Sequence, residues 1–342
     1  MFSQRVGIFI RCKGEKTVTY LAEPYVVVVG VGRSGTTLLM SMLDSNSSIA
    51  MLPEIAFERR ILVKQIQSIG TVSQMVELLK KDLIFSKGGI DPVSVANSLT
   101  ERDIKYSPVA FYQHLLWLYA HSRNKRLVGV KDPKSLELLP VLKELFPQTR
   151  ILHIVRDPRD VFLSRKKAEW SKDRADFLQL LAYRAQYSLG SELGPKLFGR
   201  HYLEIQYEAL ISMPEDVLKR VCEFLEIGFE PQMLDHTRSS HRLVSIDEKQ
   251  YHGNVYQPVL ANNKNKWMGK LTKGQVVGAE YAGRKAMRVY SYENANFRKS
   301  LRLRVYLLAL GLSLEVANSL YCGLVYWQNC KAVTELSRYN AP

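Results

Sequence analysis

Tyr25-Val-Val-Val-Val29 runs into Gly30-Val-Gly-Arg33-Ser34-Gly35-Thr36-Thr37 and then into Leu38-Leu-Met-Ser-Met-Leu43. Five consecutive strand-forming residues closed by a glycine read as a strand buried on both faces, the kind found inside parallel sheets. The apolar run that follows has helical character, so the glycine-rich stretch lies between a strand and a helix start. Backbone N–H groups and the positive end of the helix dipole make such a junction an anion site. Its spacing is that of a phosphate loop, GxxxxGK[ST], except that Thr36 stands where the lysine belongs. That lysine normally reaches the terminal phosphates of a nucleoside triphosphate, so its loss argues against ATP or GTP hydrolysis. Arg33 supplies a cation earlier in the loop, with a planar fork suited to an oxygen-rich tetrahedral group.

Working outward, Leu127–Val130 and Arg150–Val155 read as two further buried strands, each leading into a helix, Ser135–Leu145 and Asp160–Trp170. Strands alternating with helices predict an α/β fold of P-loop type: three layers, a central parallel sheet flanked by helices, and a C-terminal helical appendage. Residues 57–120 read as mostly helical, with breaks at Gly88-Gly89 and Pro108. The Pro214–Leu225 segment carries an amphipathic stripe, and Ser239–Lys270 reads as a long polar loop of the functional sort. The expected organisation is a hairpin extension over 1–24, a catalytic domain over 25–290 and a helical appendage over 291–342.

The second chemical signal is Val155-Arg156-Asp157-Pro158-Arg159-Asp160-Val-Phe-Leu-Ser164. A strand ends in an arginine, Pro158 turns the chain, and the helix that opens there brings Ser164 back toward Arg156. Arg–Asp clusters often form structural ion pairs, so this motif alone says little. Two anion-reading loops after two parallel strands say more: they suit a ligand with two separated phosphate-like groups.

Together these motifs resemble those of sulfotransferases that use 3′-phosphoadenosine-5′-phosphosulfate (PAPS), closest to the bacterial and tyrosylprotein group. Pro53-Glu54, Gly129-Val-Lys131-Asp132-Pro133, Tyr207-Glu208-x-Leu210 and Lys266-Trp267-x-x-Lys270-Leu271 are similar to further motifs of these enzymes, and the likeness covers about residues 25–290. The resemblance implies sulfuryl transfer from PAPS to an acceptor hydroxyl on carbohydrate, tyrosyl or small molecule, leaving adenosine 3′,5′-bisphosphate and requiring no metal. It implies that Arg33, Ser34, Gly35, Thr36 and Thr37 cradle the 5′-phosphosulfate and that Arg156 and Ser164 bind the 3′-phosphate. Tyr207 would lie near the adenine and Lys266 would close over the phosphates. Glu54 becomes the candidate general base, with Lys131 and Arg33 stabilising charge on the sulfuryl and bridging oxygens. One departure stands out: tyrosylprotein enzymes carry an arginine one helical turn beyond the serine, where this chain has Ala168, leaving Arg165 or Lys166 to substitute.

Each assignment has a plainer alternative. Glu54 could be a helix-start carboxylate facing Arg59 or Arg60, and Lys131 could pair with Asp132 or Glu54. A histidine is the rival base: His153 reads as core, His114 and His121 as structural, while His241 and His252 lie in the loop before Lys266. Trp267 reads as packing that loop down.

The chain has 342 residues with 46% hydrophobic and 24% charged, enough for a sizeable core and unlike collagen, coiled coil or a disordered chain. Lys+Arg 48 against Asp+Glu 33 gives +15, which favours an anionic partner without naming it. A P-loop kinase or NTPase and a basic surface-binding protein are therefore the competing readings. The basic residues are spread out and form no nucleic-acid module, so no nucleic acid is expected. Cys12, Cys222, Cys322 and Cys330 form no CxxC pair, which with the absence of a signal-like start predicts a cytoplasmic setting. The stretch Val305–Trp327, interrupted by Glu315 and Asn318, reads as two packed amphipathic helices, with peripheral membrane contact as the alternative through Arg298, Lys299, Arg302 and Arg304.

Overall fold

The computed structural model describes residues 25–243, 256–297 and 300–339; the expected hairpin over 1–24, His252, Arg298 and Lys299 lie outside them. Five strands form one sheet: β1 (Tyr25–Val29), β2 (Ile49–Met51), β3 (Leu127–Lys131), β4 (Arg150–Val155) and β5 (Tyr202–Gln206). They are all parallel, in the order β2-β3-β1-β4-β5. β1, β3 and β4 are buried along their whole length, as a sheet covered on both faces requires. The edge strand β5 is only half-buried, and its Tyr-Leu-Glu-Ile-Gln has polar residues at alternate positions.

The helices, in chain order, are α1 (Thr36–Asp44), α2 (Val72–Lys80), α3 (Leu83–Ser86), α4 (Pro92–Glu101), α5 (Pro108–His121), α6 (Leu139–Leu145), α7 (Pro158–Lys167), α8 (Asp176–Phe198), α9 (Tyr207–Ser212), α10 (Pro214–Leu225), α11 (Thr237–Leu243), α12 (Lys273–Ala282), α13 (Arg284–Val289) and α14 (Leu301–Tyr339). Side chains alternate across a strand, so β1 feeds two cores at once. Tyr25, Val27 and Val29 pack with Phe57, Tyr112 and Leu139 on one face. Val26 and Val28 pack with Leu39, Leu43 and Leu218 of α1 and α10 on the other. This is the three-layer arrangement expected.

Several boundaries differ from the sequence reading for local reasons. The segment expected as one helix over Ser135–Leu145 begins as a 3-10 turn, Pro133–Leu138, capped by Asp132, and becomes α-helical only at Leu139. The helix expected over Asp160–Trp170 starts earlier, with Pro158 in its first turn and Asp157 accepting from the Arg159 N–H, and ends at Lys167 where Ala168 turns extended. The expected pair of C-terminal helices is instead one helix, α14, of 39 residues. Glu315 does not break it. Its carboxylate accepts from Arg184 of α8 at 2.6 Å and from Arg284 at 2.6 Å, so the acid docks the helix. Leu310, Leu314, Cys322, Val325 and Leu336 are buried, while Leu301, Val305, Leu308, Leu312, Val316, Leu320, Leu324 and Trp327 are exposed. By length and apolar composition α14 is able to cross a membrane.

Candidate active site

At the carboxyl ends of β1, β3 and β4 the sheet opens into a cleft of about 1210 Å³, the place where open parallel sheets bind ligands. The loop after β1 forms its floor. Arg33 has φ 82° and Gly35 φ 102°, so the chain twice enters the left-handed region that folds a loop around an anion. Gly35 is obligatory for a second reason: a β-carbon there would lie 2.3 Å from the Tyr207 ring. The Ser34 N–H closes the turn onto the Val31 carbonyl at 3.0 Å, and its hydroxyl is buried without a partner. Thr36 and Thr37 open α1, and both line the cleft.

The second loop interlocks with the first. Arg33 Nε donates to Ser164 Oγ at 3.1 Å, and Arg156 donates to the Arg33 carbonyl at 3.4 Å. Burial, then the Arg156 charge, lowers the pKa of the Arg33 guanidinium. Arg156 lies over the Tyr207 ring at 4.4 Å and donates to the Asn263 carbonyl at 3.0 Å, while the Asn263 amide donates to Tyr207 Oη at 2.7 Å. Arg156 Nε is left buried without a partner. Two cations held together by carbonyls and an aromatic face, with buried polar atoms unused, fit an anionic ligand. The Arg-Asp-Pro-Arg-Asp motif thus divides into two jobs. Arg156 and Asp160 line the cleft, whereas Arg159 is buried in ion pairs with Asp157 at 2.7 Å and Glu280 at 2.9 Å, and lies over the Trp267 ring at 4.2 Å. The Trp267 backbone N–H donates to Asp160 at 2.9 Å, so this tryptophan packs its segment down, and the neighbouring Lys266 is left exposed at the cleft mouth.

Across the cleft, Glu54 pairs with Lys131 at the end of β3. The alternative partners of Glu54 are engaged elsewhere: Arg59 donates to Asp132 at 3.1 Å and Arg60 pairs with Asp82 at 2.8 Å. Asp132 also caps the 3-10 turn by accepting from the Lys134 N–H at 3.0 Å. Its pKa is raised, by burial first and then by the Glu54 charge, with Arg59 opposing. Beneath Glu54 lies a π-helical turn, Glu58–Leu62, a bulge often found at functional sites. Fully buried Glu58 accepts from Tyr25 Oη, which is 2.9 Å from Tyr112 Oη.

Every residue expected from the sequence to bind the donor or act in catalysis, Ser34 excepted, lines this one cleft, and Ser34 sits buried in its loop. No histidine lines it among the described residues. His153 is buried against Tyr202 Oη at 2.6 Å, and His114 and His121 stack on Trp117. Of the two proposed substitutes at Ala168, Lys166 pairs with Asp176 at 2.8 Å outside the cleft, whereas Arg165 lines it. Sequence reasoning missed Asn263, Trp170 and Arg174, which stand in no recognisable motif.

A family model described as "Sulfotransferase family" matches residues 24–231. Protein-tyrosine sulfotransferase A of Caenorhabditis elegans is 25% identical over 279 residues, covering 80% of this chain and 69% of its own length. The protein-tyrosine sulfotransferase of Drosophila melanogaster is 25% identical over 286 residues, covering 80% of this chain and 52% of its own. In fold, the sulfotransferase domain of the Synechococcus PCC 7002 olefin synthase superposes with a TM-score of 0.59 at 19% identity, over 82% of this chain and 99% of that domain.

Proposed function

Because the chain belongs to the sulfotransferase family, we propose that its cleft transfers a sulfuryl group from PAPS to an acceptor hydroxyl, with Glu54 as the base. The observation that carries this reading is the facing arrangement of the Glu54–Lys131 pair and the interlocked Arg33, Arg156, Ser164 and Tyr207 around one cavity. When bound, PAPS supplies an activated sulfur: the acceptor oxygen bonds to it as its bond to the 5′-phosphate oxygen breaks, and the acceptor proton passes to Glu54. The residues supply position and charge. The loop N–H groups from Ser34 to Thr37 and Arg33 hold the 5′ end, Arg156 and Ser164 the 3′-phosphate, and Lys266 the mouth. Lys131, held by Glu54, would stand toward the sulfuryl oxygens, where a fixed cation stabilises charge as it develops. The family match decides against the kinase or NTPase reading, with which the missing loop lysine already disagreed. The tyrosine-directed relatives favour a tyrosyl hydroxyl as the acceptor.

Calorimetric titration with adenosine 3′,5′-bisphosphate beside Mg-ATP and AMP tests the reading. Tight binding of the bisphosphate alone is expected; preference for Mg-ATP would overturn it. For location we propose a cytoplasmic protein in peripheral contact with a membrane. The exposed apolar residues of α14, recurring every three or four positions beside exposed Arg302 and Arg304, support it. Co-sedimentation with anionic vesicles is the expected result, and recovery of the protein entirely in the supernatant would count against it.

A further inference from the structure

Arg165 is a buried cation lining the cleft to which the donor-binding scheme above gives no role. The residue is only 4% exposed, yet among the described residues no carboxylate pairs with it, and its Nε has no hydrogen-bond partner. A buried guanidinium without an acid is costly unless something anionic completes it. Its surroundings add positive charge. Burial and the charge of Arg174 together press its pKa down to about 10, and Lys167 and Arg174 line the same cleft.

The geometry around it is a built pocket wall. The guanidinium lies over the Trp170 ring at 5.0 Å, and both residues line the cleft. Both side chains lie against Gly32: a β-carbon there would stand 3.5 Å from Arg165 Nη1 and 3.6 Å from the Trp170 ring, in ordinary van der Waals contact. Arg165 thus stands beside the phosphate loop, one residue from the position of Arg33, and follows the Ser164 that Arg33 grips.

We propose that Arg165, seated on Trp170 and backed by Arg174, is a third oxyanion-binding arginine of the cleft, additional to Arg33 and Arg156. It would take a sulfate, phosphate or carboxylate group held against Gly32, carried either by the donor or by the acceptor. The donor reading above bears only on which of these supplies the anion.

The test uses Arg165→Met, which keeps the stem over Trp170 and removes the charge, and Arg165→Lys, which keeps the charge and removes the fork. Calorimetry would follow adenosine 3′,5′-bisphosphate, PAPS, and sodium sulfate added to free and to bisphosphate-saturated protein. Arg165→Met should weaken at least one probe by about 10- to 100-fold, the loss expected for a charge-assisted hydrogen bond. Its melting temperature without ligand should stay at or above that of the wild type. Loss with both nucleotides assigns the anion to a donor phosphate, loss with PAPS alone to the sulfuryl group, and loss of sulfate from the bisphosphate-saturated protein alone to the acceptor. Unchanged affinity for all probes overturns the proposal. If Arg165→Met does not fold, Arg165→Lys decides: weaker oxyanion binding by a folded protein supports the site, and wild-type affinity overturns it. A wild type that ignores the bisphosphate would sink the donor reading, and the sulfate titration would still decide for or against Arg165.

Discussion

The two ends of the cleft are built on different principles. The donor end is made of backbone and mutual contact: a loop with two left-handed residues, Arg33 gripping Ser164, Arg156 held by two carbonyls, Tyr207 filling the space that Gly35 leaves. The opposite end is made of paired charges, Glu54 with Lys131 and Arg59 with Asp132, standing on the buried Glu58, Tyr25 and Tyr112. In the proposed reaction the end built from backbone would hold the donor and the end built from ionisable pairs would handle the proton. Binding and chemistry should therefore separate when each end is disturbed in turn.

The largest effect is expected from Glu54→Gln. Loss of the proposed base should lower single-turnover transfer by about 10²- to 10⁴-fold while calorimetry finds bisphosphate affinity unchanged. Retained turnover would hand the proton to another group. Arg156→Ala should do the reverse, weakening the bisphosphate by about 10- to 100-fold; wild-type affinity would remove the second loop from the donor site. Gly35→Ala strikes the donor end through the backbone, forcing a β-carbon into Tyr207 at a φ that side chains avoid. A stability loss of about 1–3 kcal/mol by denaturant melts is expected, together with weaker bisphosphate binding because Tyr207 must move.

The smallest effect probes the foundation of the other end. Burial raises the pKa of Glu58 above its ordinary 4.5, against the hydrogen bond from Tyr25. Glu58 therefore binds its proton more readily folded than unfolded. Its stabilising contribution is complete below the unfolded pKa and is lost as pH rises through the folded one. Raising the pH from about 4 to 7 should thus shift the melting-temperature gap between Glu58→Gln and the wild type in favour of the variant. A gap that stays constant across that range would show that Glu58 carries no such penalty.

Much of the phosphate-loop end of the cleft was legible in the sequence because it is built from local spacing. A strand, a glycine loop and a helix start are contiguous, and Arg156 and Ser164 share one turn-and-helix. The central strands were equally plain, since burial on both faces leaves an unbroken β-branched run. The short edge strand β2 and the alternating β5 carry no such run, and the 23-residue α8 mixes polar and apolar residues around its whole circumference because it packs against several elements. Asn263 could not be found from the sequence, because its importance rests on reaching Arg156 and Tyr207 across the fold. Arg165 was named only as a substitute for a missing arginine; its burial without an acid is a property of packing. Glu315 was misread for the complementary reason: an acid in an apolar run looks like an interruption until Arg184 and Arg284 are brought to it.

The order of the strands has a consequence for how the protein is made. β1 lies in the middle of the sheet, with Tyr25 beside Val128 and Val26 beside Arg150. Neither neighbour exists when β1 is synthesised, and at 5–20 residues per second the ribosome takes roughly 6–25 s to deliver both. Through that interval five apolar residues wait without a sheet, and the phosphate loop attached to them has nothing to hold its shape. The floor of the cleft, although synthesised before its neighbours, thus takes its shape only once β3 and β4 have followed it. Nascent chains stalled before Arg150 should be the ones that most need a chaperone.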